Sequence, residues 1–336
     1  MKACLLRNPA PVDSAPLALE ELETPQPNAD EIVVEVAACA VCRTDLHVVE
    51  GELARAVLPI IPGHQVVGRV AARGAAVSSV AVGQRVGVAW LHSTCGRCRF
   101  CLGGAENLCE KAVFTGWTVN GGFATHCRAR ADYVYPLPDD IGDIEAAPLL
   151  CAGIIGYRAL RLCGVRDWRG ARLGLYGFGA AGHIAIQLAR ARGAEVYVGT
   201  RDQHRHGKLA AELGAAWVGD ATRRPPVALD AAIIFAPAGE LVPAALAAID
   251  RGGTVVLGGI HGSPIPSLPY ALIYGERVVR SVTNNTRDDG RAFLAEAAAV
   301  GVRTHTEAFD LTAANEALQA LKHGAVRGAA VLTVAS

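Results

Sequence analysis

Residues 172–191 read RLGLYGFGAAGHIAIQLARA, and the fold class follows from how that string changes period. Up to Tyr176 it is an apolar run of strand length, and from Ile184 onward the apolar residues recur at helical spacing. Between the two stand Gly177, Gly179 and Gly182 in the order G-x-G-x-x-G. In a strand–turn–helix setting the first glycine permits the tight turn, the second lets a pyrophosphate approach the backbone, and the third lets the helix pack closely on the strand. The setting carries the argument, because a chain with 37 glycines meets such a spacing by chance. Segments 195–199, 230–235, 254–257 and 277–281 read as further parallel strands, with the near-continuous apolar character of strands buried on both faces. An α/β, doubly wound parallel sheet of the Rossmann type is therefore expected over 151–286.

The second strand of such a sheet ends, in NAD-binding proteins, near an acid that holds the adenosine ribose. Here Thr200 and Arg201 occupy that place, with His204 and Arg205 close behind. A hydroxyl and guanidinium groups suit a 2′-phosphate, since Arg stacks on adenine while donating to phosphate oxygens. NADP(H) is the expected cofactor, and Asp202 keeps NAD(H) open as the alternative.

Upstream of the glycine turn the pattern is different. Short β-rich runs at 31–36, 66–71 and 84–88, broken by Gly, Pro and Asn turns, predict a β-barrel-like domain over 1–150. A helix at 288–301 and a strand at 329–334 follow the last strand of the parallel sheet, so 287–336 is expected to return to that first domain. The 336 residues are too many for one core and suit two. Lys+Arg and Asp+Glu balance at 32 each, which gives no field for nucleic acid or an anionic membrane. No run approaches the ~18 apolar residues of a membrane span, and the apolar stretch at the N-terminus is too short for a signal peptide, so a cytoplasmic protein is expected.

Four of the ten cysteines crowd together as Cys95, Cys98, Cys101 and Cys109, the spacing C-x2-C-x2-C-x7-C. One short loop can then wrap four thiolates around a tetrahedral ion, and zinc is the metal that best suits a closed, redox-silent set. An iron–sulfur cluster is the rival reading. Such a closed set leaves no position for chemistry. Cys42, His64 and Cys151 are scattered, and each alone is ordinary; two thiolates and an imidazole together are what a catalytic zinc needs, with a fourth position left for water or substrate.

With Cys42-Arg43-Thr44-Asp45-Leu46-His47, Gly63-His64, Val88-Ala89-Trp90-Leu91, the cysteine lobe, Gly121-Gly122-Phe123-Ala124, Cys151-Ala152-Gly153 and the glycine turn in one order, the chain resembles the zinc-containing alcohol dehydrogenases of the medium-chain dehydrogenase/reductase superfamily, most closely the bacterial tetrameric type. The resemblance runs nearly end to end and implies a GroES-like β-barrel catalytic domain beside the Rossmann domain, with the active site in the cleft between them. It implies two zinc ions per chain: a catalytic one on Cys42, His64 and Cys151, and a structural one on the four-cysteine lobe. Asp45 would orient the His64 ring, and Thr44 would bind the substrate oxygen and pass its proton through the cofactor ribose towards His47. Arg327 matches a position that meets the cofactor phosphates, and Trp90 and Trp117 match or lie near positions that line the alcohol pocket. The implied reaction is reversible hydride transfer between NADP(H) and a small or medium primary or secondary alcohol or aldehyde, in a homo-oligomer, dimer or tetramer. Two alternatives remain at this point, a zinc-independent quinone or enone reductase of the same superfamily and a catalytically silent NADPH-binding protein. One departure stands out. The family usually has Glu after the ligand histidine, and this chain has Gln65.

Overall fold

The computed structural model describes residues 1–54 and 56–334, which form two compact units. The first comprises Met1–Cys151, Thr286–Arg291 and Thr304–Ser336, and the second Ala152–Asn285 and Ala292–Arg303.

The second unit is built on six parallel strands in the order Trp217–Gly219, Glu195–Gly199, Arg172–Tyr176, Leu229–Ile234, Ile249–Leu257, Val278–Ser281. In chain order that is 3-2-1-4-5-6, the arrangement of a dinucleotide-binding sheet. Leu173, Leu175, Ile233, Val255 and Val256 are fully buried, as strands covered on both faces require. Strand Arg172–Tyr176 lies at the centre, where the strand order reverses, and runs directly into the glycine turn and helix Ala180–Ala191. The edge strand Trp217–Gly219 has no counterpart among the expected strands, being three residues long and only partly buried.

The first unit is organised around one long strand, Glu31–Val41, which pairs antiparallel with Val66–Arg73, His126–Arg130 and Ala329–Thr333. Its partner Val66–Arg73 pairs in turn with Arg85–Val88, and Thr306–Asp310 lies parallel to Ala329–Thr333. Ile32, Val34, Val36 and Cys39 point into one core with Val66, Val70, Val86 and Phe123. The register Cys39↔Val66 brings the end of the long strand beside the start of its neighbour. Residues just beyond the first and just before the second, Cys42 and His64, therefore emerge at one place.

Helix Arg287–Val300 is shared, and here the division differs from the expected one, which gave all of 287–336 to the first domain. Arg287 makes a bidentate pair with Glu106, Nε and Nη2 donating at 3.0 and 2.8 Å, which groups the first turn with the first unit. Farther along, Phe293 is fully buried against Gly153, where any Cβ would come within 2.3 Å of its ring, and Glu296 pairs with Arg192. Those contacts group 292–303 with the second unit. Among the described residues no helix is long and apolar enough to cross a membrane.

Candidate active site

Cys42 directly follows the long strand and is the N-cap of helix Arg43–Val49. Its backbone N–H donates to Asp45 Oδ2 at 2.8 Å, and its sulfur accepts from Thr44 N at 3.4 Å, so the cap fixes the thiol at the helix start. Cys151 follows the turn Ala147–Leu150, whose Leu150 fills the space above Gly87 on strand Arg85–Val88. One ligand atom from each of Cys42, His64 and Cys151 lies within 4.8 Å of the others.

Asp45 decides the state of His64. It is almost wholly buried, and its Oδ1 accepts from Gly63 N at 3.1 Å and from His64 Nδ1 at 2.9 Å. A carboxylate only accepts, so the proton of the neutral ring sits on Nδ1 and Nε2 carries a lone pair. That Nε2 is buried and has no hydrogen-bond partner among the described residues. A buried acceptor left unmade costs about 1–3 kcal/mol, and a cation held jointly with two thiolates is the partner that its chemistry fits. The sulfurs agree. Cys42 is held well below the usual thiol range by its contact with Cys151 and by His64 against the cost of burial, while Cys151 is pushed up by Cys42 and by burial. Thr44 and His47 are both buried; Thr44 Oγ1 lies 3.6 Å from Cys42 Sγ, and His47 Nδ1 meets Glu52 Oε2.

The lobe gathers Cys95, Cys98, Cys101 and Cys109, again within 4.8 Å. Sγ–Sγ separations are 3.9 Å for Cys95–Cys101 and 3.5 Å for Cys98–Cys101. A disulfide needs about 2.05 Å. Four sulfurs about 2.3 Å from one tetrahedral ion stand about 3.8 Å apart, which matches. Backbone N–H groups of Arg97 and Cys98 lower Cys95 to about 6, the Thr94 hydroxyl lowers Cys101, and burial raises Cys109 to about 11. All ten cysteines are free of disulfides.

In the second unit the glycine turn fits a dinucleotide position by position. Gly177 has φ +89°, and a Cβ there would come 2.8 Å from Ala236 N. A Cβ on Gly182 would come 2.9 Å from Gly177 O, so that glycine serves close helix packing. Around Gly179, at the head of the twelve-residue helix Ala180–Ala191, a Cβ would meet nothing within 4 Å. Open space at a helix N-terminus is what an approaching pyrophosphate requires. Thr200 follows strand Glu195–Gly199, only 2% exposed, with its N–H donating to Gly219 O at 2.9 Å. Arg201 and Arg205 are exposed. Asp202 caps the π-helical turn Gln203–Gly207, Oδ1 accepting from Arg205 N at 2.9 Å, which holds its carboxyl below the usual range. Arg327 lies in the first unit, half-buried on the turn before strand Ala329–Thr333, its N–H donating to Glu307 Oε1 at 2.6 Å.

Residues 28–139 match the family model "Alcohol dehydrogenase GroES-like domain", and residues 180–299 match "Zinc-binding dehydrogenase". The chain is 48% identical over 340 aligned positions to a probable alcohol dehydrogenase, AdhA, of Mycobacterium tuberculosis, covering 99% of this chain and 97% of that one. The chain belongs to the zinc-containing alcohol dehydrogenases. An alcohol dehydrogenase of Geobacillus stearothermophilus is 37% identical over 325 positions, 94% and 95% of the two chains. The solved alcohol dehydrogenase of the archaeon Aeropyrum pernix superposes with a TM-score of 0.88 at 30% identity, covering 99% of this chain and all (100%) of that one.

In this alcohol dehydrogenase Gln65, which departs from the family's usual Glu, is buried and donates from Nε2 to Ala40 O at 3.2 Å. A carboxylate in that rotamer would set lone pair against lone pair. Trp90 and His64 meet edge to face, ring centroids 4.8 Å apart, and Trp90 stacks on Trp117 at 5.7 Å and an interplanar angle of 11°. Phe114, which the sequence reading passed over, completes the group at 5.2 Å from Trp90.

Proposed function

We propose that the chain catalyses reversible hydride transfer between NADP(H) and a small or medium apolar alcohol or aldehyde, using one zinc ion on Cys42, His64 and Cys151 and a second, structural one on Cys95, Cys98, Cys101 and Cys109. The observation that carries this reading is His64 Nε2, buried and, among the described residues, without a hydrogen-bond partner beside the sulfurs of Cys42 and Cys151, while Asp45 holds Nδ1. Two cysteines and a histidine are the established catalytic set of alcohol dehydrogenases. When bound there, zinc supplies a Lewis acid for the substrate oxygen, and NADP(H) supplies or takes the hydride.

The chain's own residues do the rest. Asp45 orients His64, and Thr44 Oγ1 accepts the hydroxyl proton of the substrate and hands on its own. His47 is the outer base of that path. Trp90, Phe114 and Trp117 form an apolar wall beside His64 that favours a substrate without charge. Gly177, Gly179 and Gly182 receive the pyrophosphate, with Thr200, Arg201 and Arg205 at the 2′-phosphate and Arg327 a further phosphate contact. Assembly into a homo-oligomer is supported by Ile260, Ile265, Tyr270, Ile273 and Tyr274, exposed in the segment that leads into the sheet-edge strand Val278–Ser281, and by the exposed Val278 at the start of that strand. A reducing compartment such as the cytoplasm suits the free ligand thiols.

Elemental analysis of the purified protein should return two zinc ions per chain, with turnover of simple alcohols. One zinc, or iron with visible absorbance, would overturn the assignment of the two sites. His47→Gln should slow alcohol oxidation by about a hundredfold, the lower range for a positioned base, with zinc content unchanged. Loss of metal in that variant would show His47 to be a ligand instead.

A further inference from the structure

Helix Arg43–Val49 ends in a way that joins His47 to a carboxylate outside the residues assigned above. Glu50 is its C-cap, and Gly51 follows with φ +75°, a left-handed residue whose Cβ, if present, would lie 2.9 Å from Pro9 Cβ. Gly51 N donates to Val48 O at 3.2 Å and Glu52 N to His47 O at 2.9 Å. These are the two bonds of a Schellman motif, which folds the second residue past the cap back over the last turn. Ordinarily the side chains so joined are apolar. Here they are His47 and Glu52, and His47 Nδ1 meets Glu52 Oε2. The His47 side chain is 9% exposed and that of Glu52 40%, so the carboxylate stands on the solvent side of the ring. The loop is also anchored from behind. Glu50 Oε1 accepts from Val12 N at 3.0 Å and from Lys322 Nζ at 2.7 Å.

We propose that Glu52 is a positioning residue for His47 in the proton path, an inference that rests on the reading of His47 as its outer base. The carboxylate only accepts, so it keeps the proton of the neutral ring on Nδ1 and leaves Nε2 as the acceptor. In alcohol oxidation the proton released by the substrate arrives at Nε2, the ring becomes an imidazolium beside the Glu52 carboxylate, and the proton then passes from Nε2 to water. Ring and carboxylate return to their starting states. In aldehyde reduction the same proton travels inward. The logic is that of a carboxylate that orients a catalytic histidine without becoming protonated itself.

The test is a double-mutant cycle read together with ring ¹⁵N NMR of the zinc-loaded protein without cofactor. Glu52→Ala changes a side chain at a solvent-facing loop and leaves the Schellman bonds, which are backbone bonds, in place. In the native background it should slow alcohol oxidation about tenfold, part of the larger effect of a positioned base, and Glu52→Asp should recover part of the rate. In the His47→Gln background it should cost nothing further. By NMR the His47 ring should be protonated at Nδ1 in the native protein and become a mixture of tautomers in Glu52→Ala. An equal loss from Glu52→Ala in both backgrounds, or an unchanged His47 tautomer, overturns the inference. If His47→Gln is itself without effect on turnover, the reading of His47 as a base fails, while the tautomer still decides whether Glu52 orients the ring.

Discussion

Replacing Cys42 with serine is expected to lower alcohol turnover by about a thousandfold or more and to remove one of two zinc ions, with little change in thermal stability. Replacing Cys98 with serine should do the reverse, unfolding or loosening the lobe at a much larger cost in stability. The contrast follows from what else holds each region. Around Cys42 the strands Glu31–Val41 and Val66–Arg73 are fixed by a core of Val34, Val36, Val66, Val70 and Phe123 that contains no ligand. Between residues 95 and 109 only Glu106, Asn107 and Cys109 are buried, and Leu102 is 76% exposed. A segment with so little apolar burial is expected to depend on a bound metal for its structure, as small zinc modules do. The loss of turnover follows from a Lewis acid worth several kcal/mol in the transition state, at about 1.4 kcal/mol for each factor of ten. Thermal melts with zinc content on both variants make the comparison. Equal destabilisation of the two would contradict the division between a catalytic and a structural site.

The parts of this molecule that could be read from the sequence are those where chemistry imposes a local spacing. Gathering four sulfurs within 4.8 Å of one another suits a spacing as short as C-x2-C-x2-C-x7-C, and the tight passage from strand to helix requires glycine at 177 and 182. Asp45 beside Cys42 is legible for the same reason, since one helix cap serves both. Long-range placement is not encoded in spacing. Phe114 joins Trp90 and Trp117 through strand pairing of Leu91–Ser93 with Val113–Phe114, which no single segment announces. Thr306–Asp310 is held by its parallel partner Ala329–Thr333 and alternates too weakly to stand out alone. The helix Arg287–Val300 reads as one element, yet its charged first turn and its buried Phe293 answer to different surroundings. Glu52 is an intermediate case. A glycine two residues past a helix end signals a left-handed cap, and that cap alone brings the residues at 47 and 52 together. Attention to ligand motifs passes over it because neither residue belongs to a group of metal-ligating side chains gathered within 4.8 Å.

Cofactor choice gives the second large effect, and the wild-type enzyme is expected to favour NADPH over NADH in kcat/KM. A site selective for NAD places a carboxylate at the end of the second strand, where it holds the ribose hydroxyls and repels a 2′-phosphate. At the end of Glu195–Gly199 stands Thr200, buried and uncharged, followed by the exposed Arg201. Asp202, the acid that follows Arg201 in the chain, already accepts from Arg205 N as the cap of Gln203–Gly207. Drawing it towards a ribose would leave that turn uncapped, at a cost of about 1 kcal/mol. A charge-assisted hydrogen bond contributes roughly 1.5–3 kcal/mol, so Arg201 alone supports about a ten- to hundredfold preference, nearer the lower end because the side chain is exposed to solvent. Arg201→Ala should therefore erase most of the preference, and Thr200→Asp should reverse it by setting a carboxylate against the phosphate. Kinetics of both variants and wild type with each cofactor read the effect directly. A wild-type preference for NADH would overturn the assignment, and loss of that preference in Asp202→Asn would then identify Asp202 as the ribose ligand.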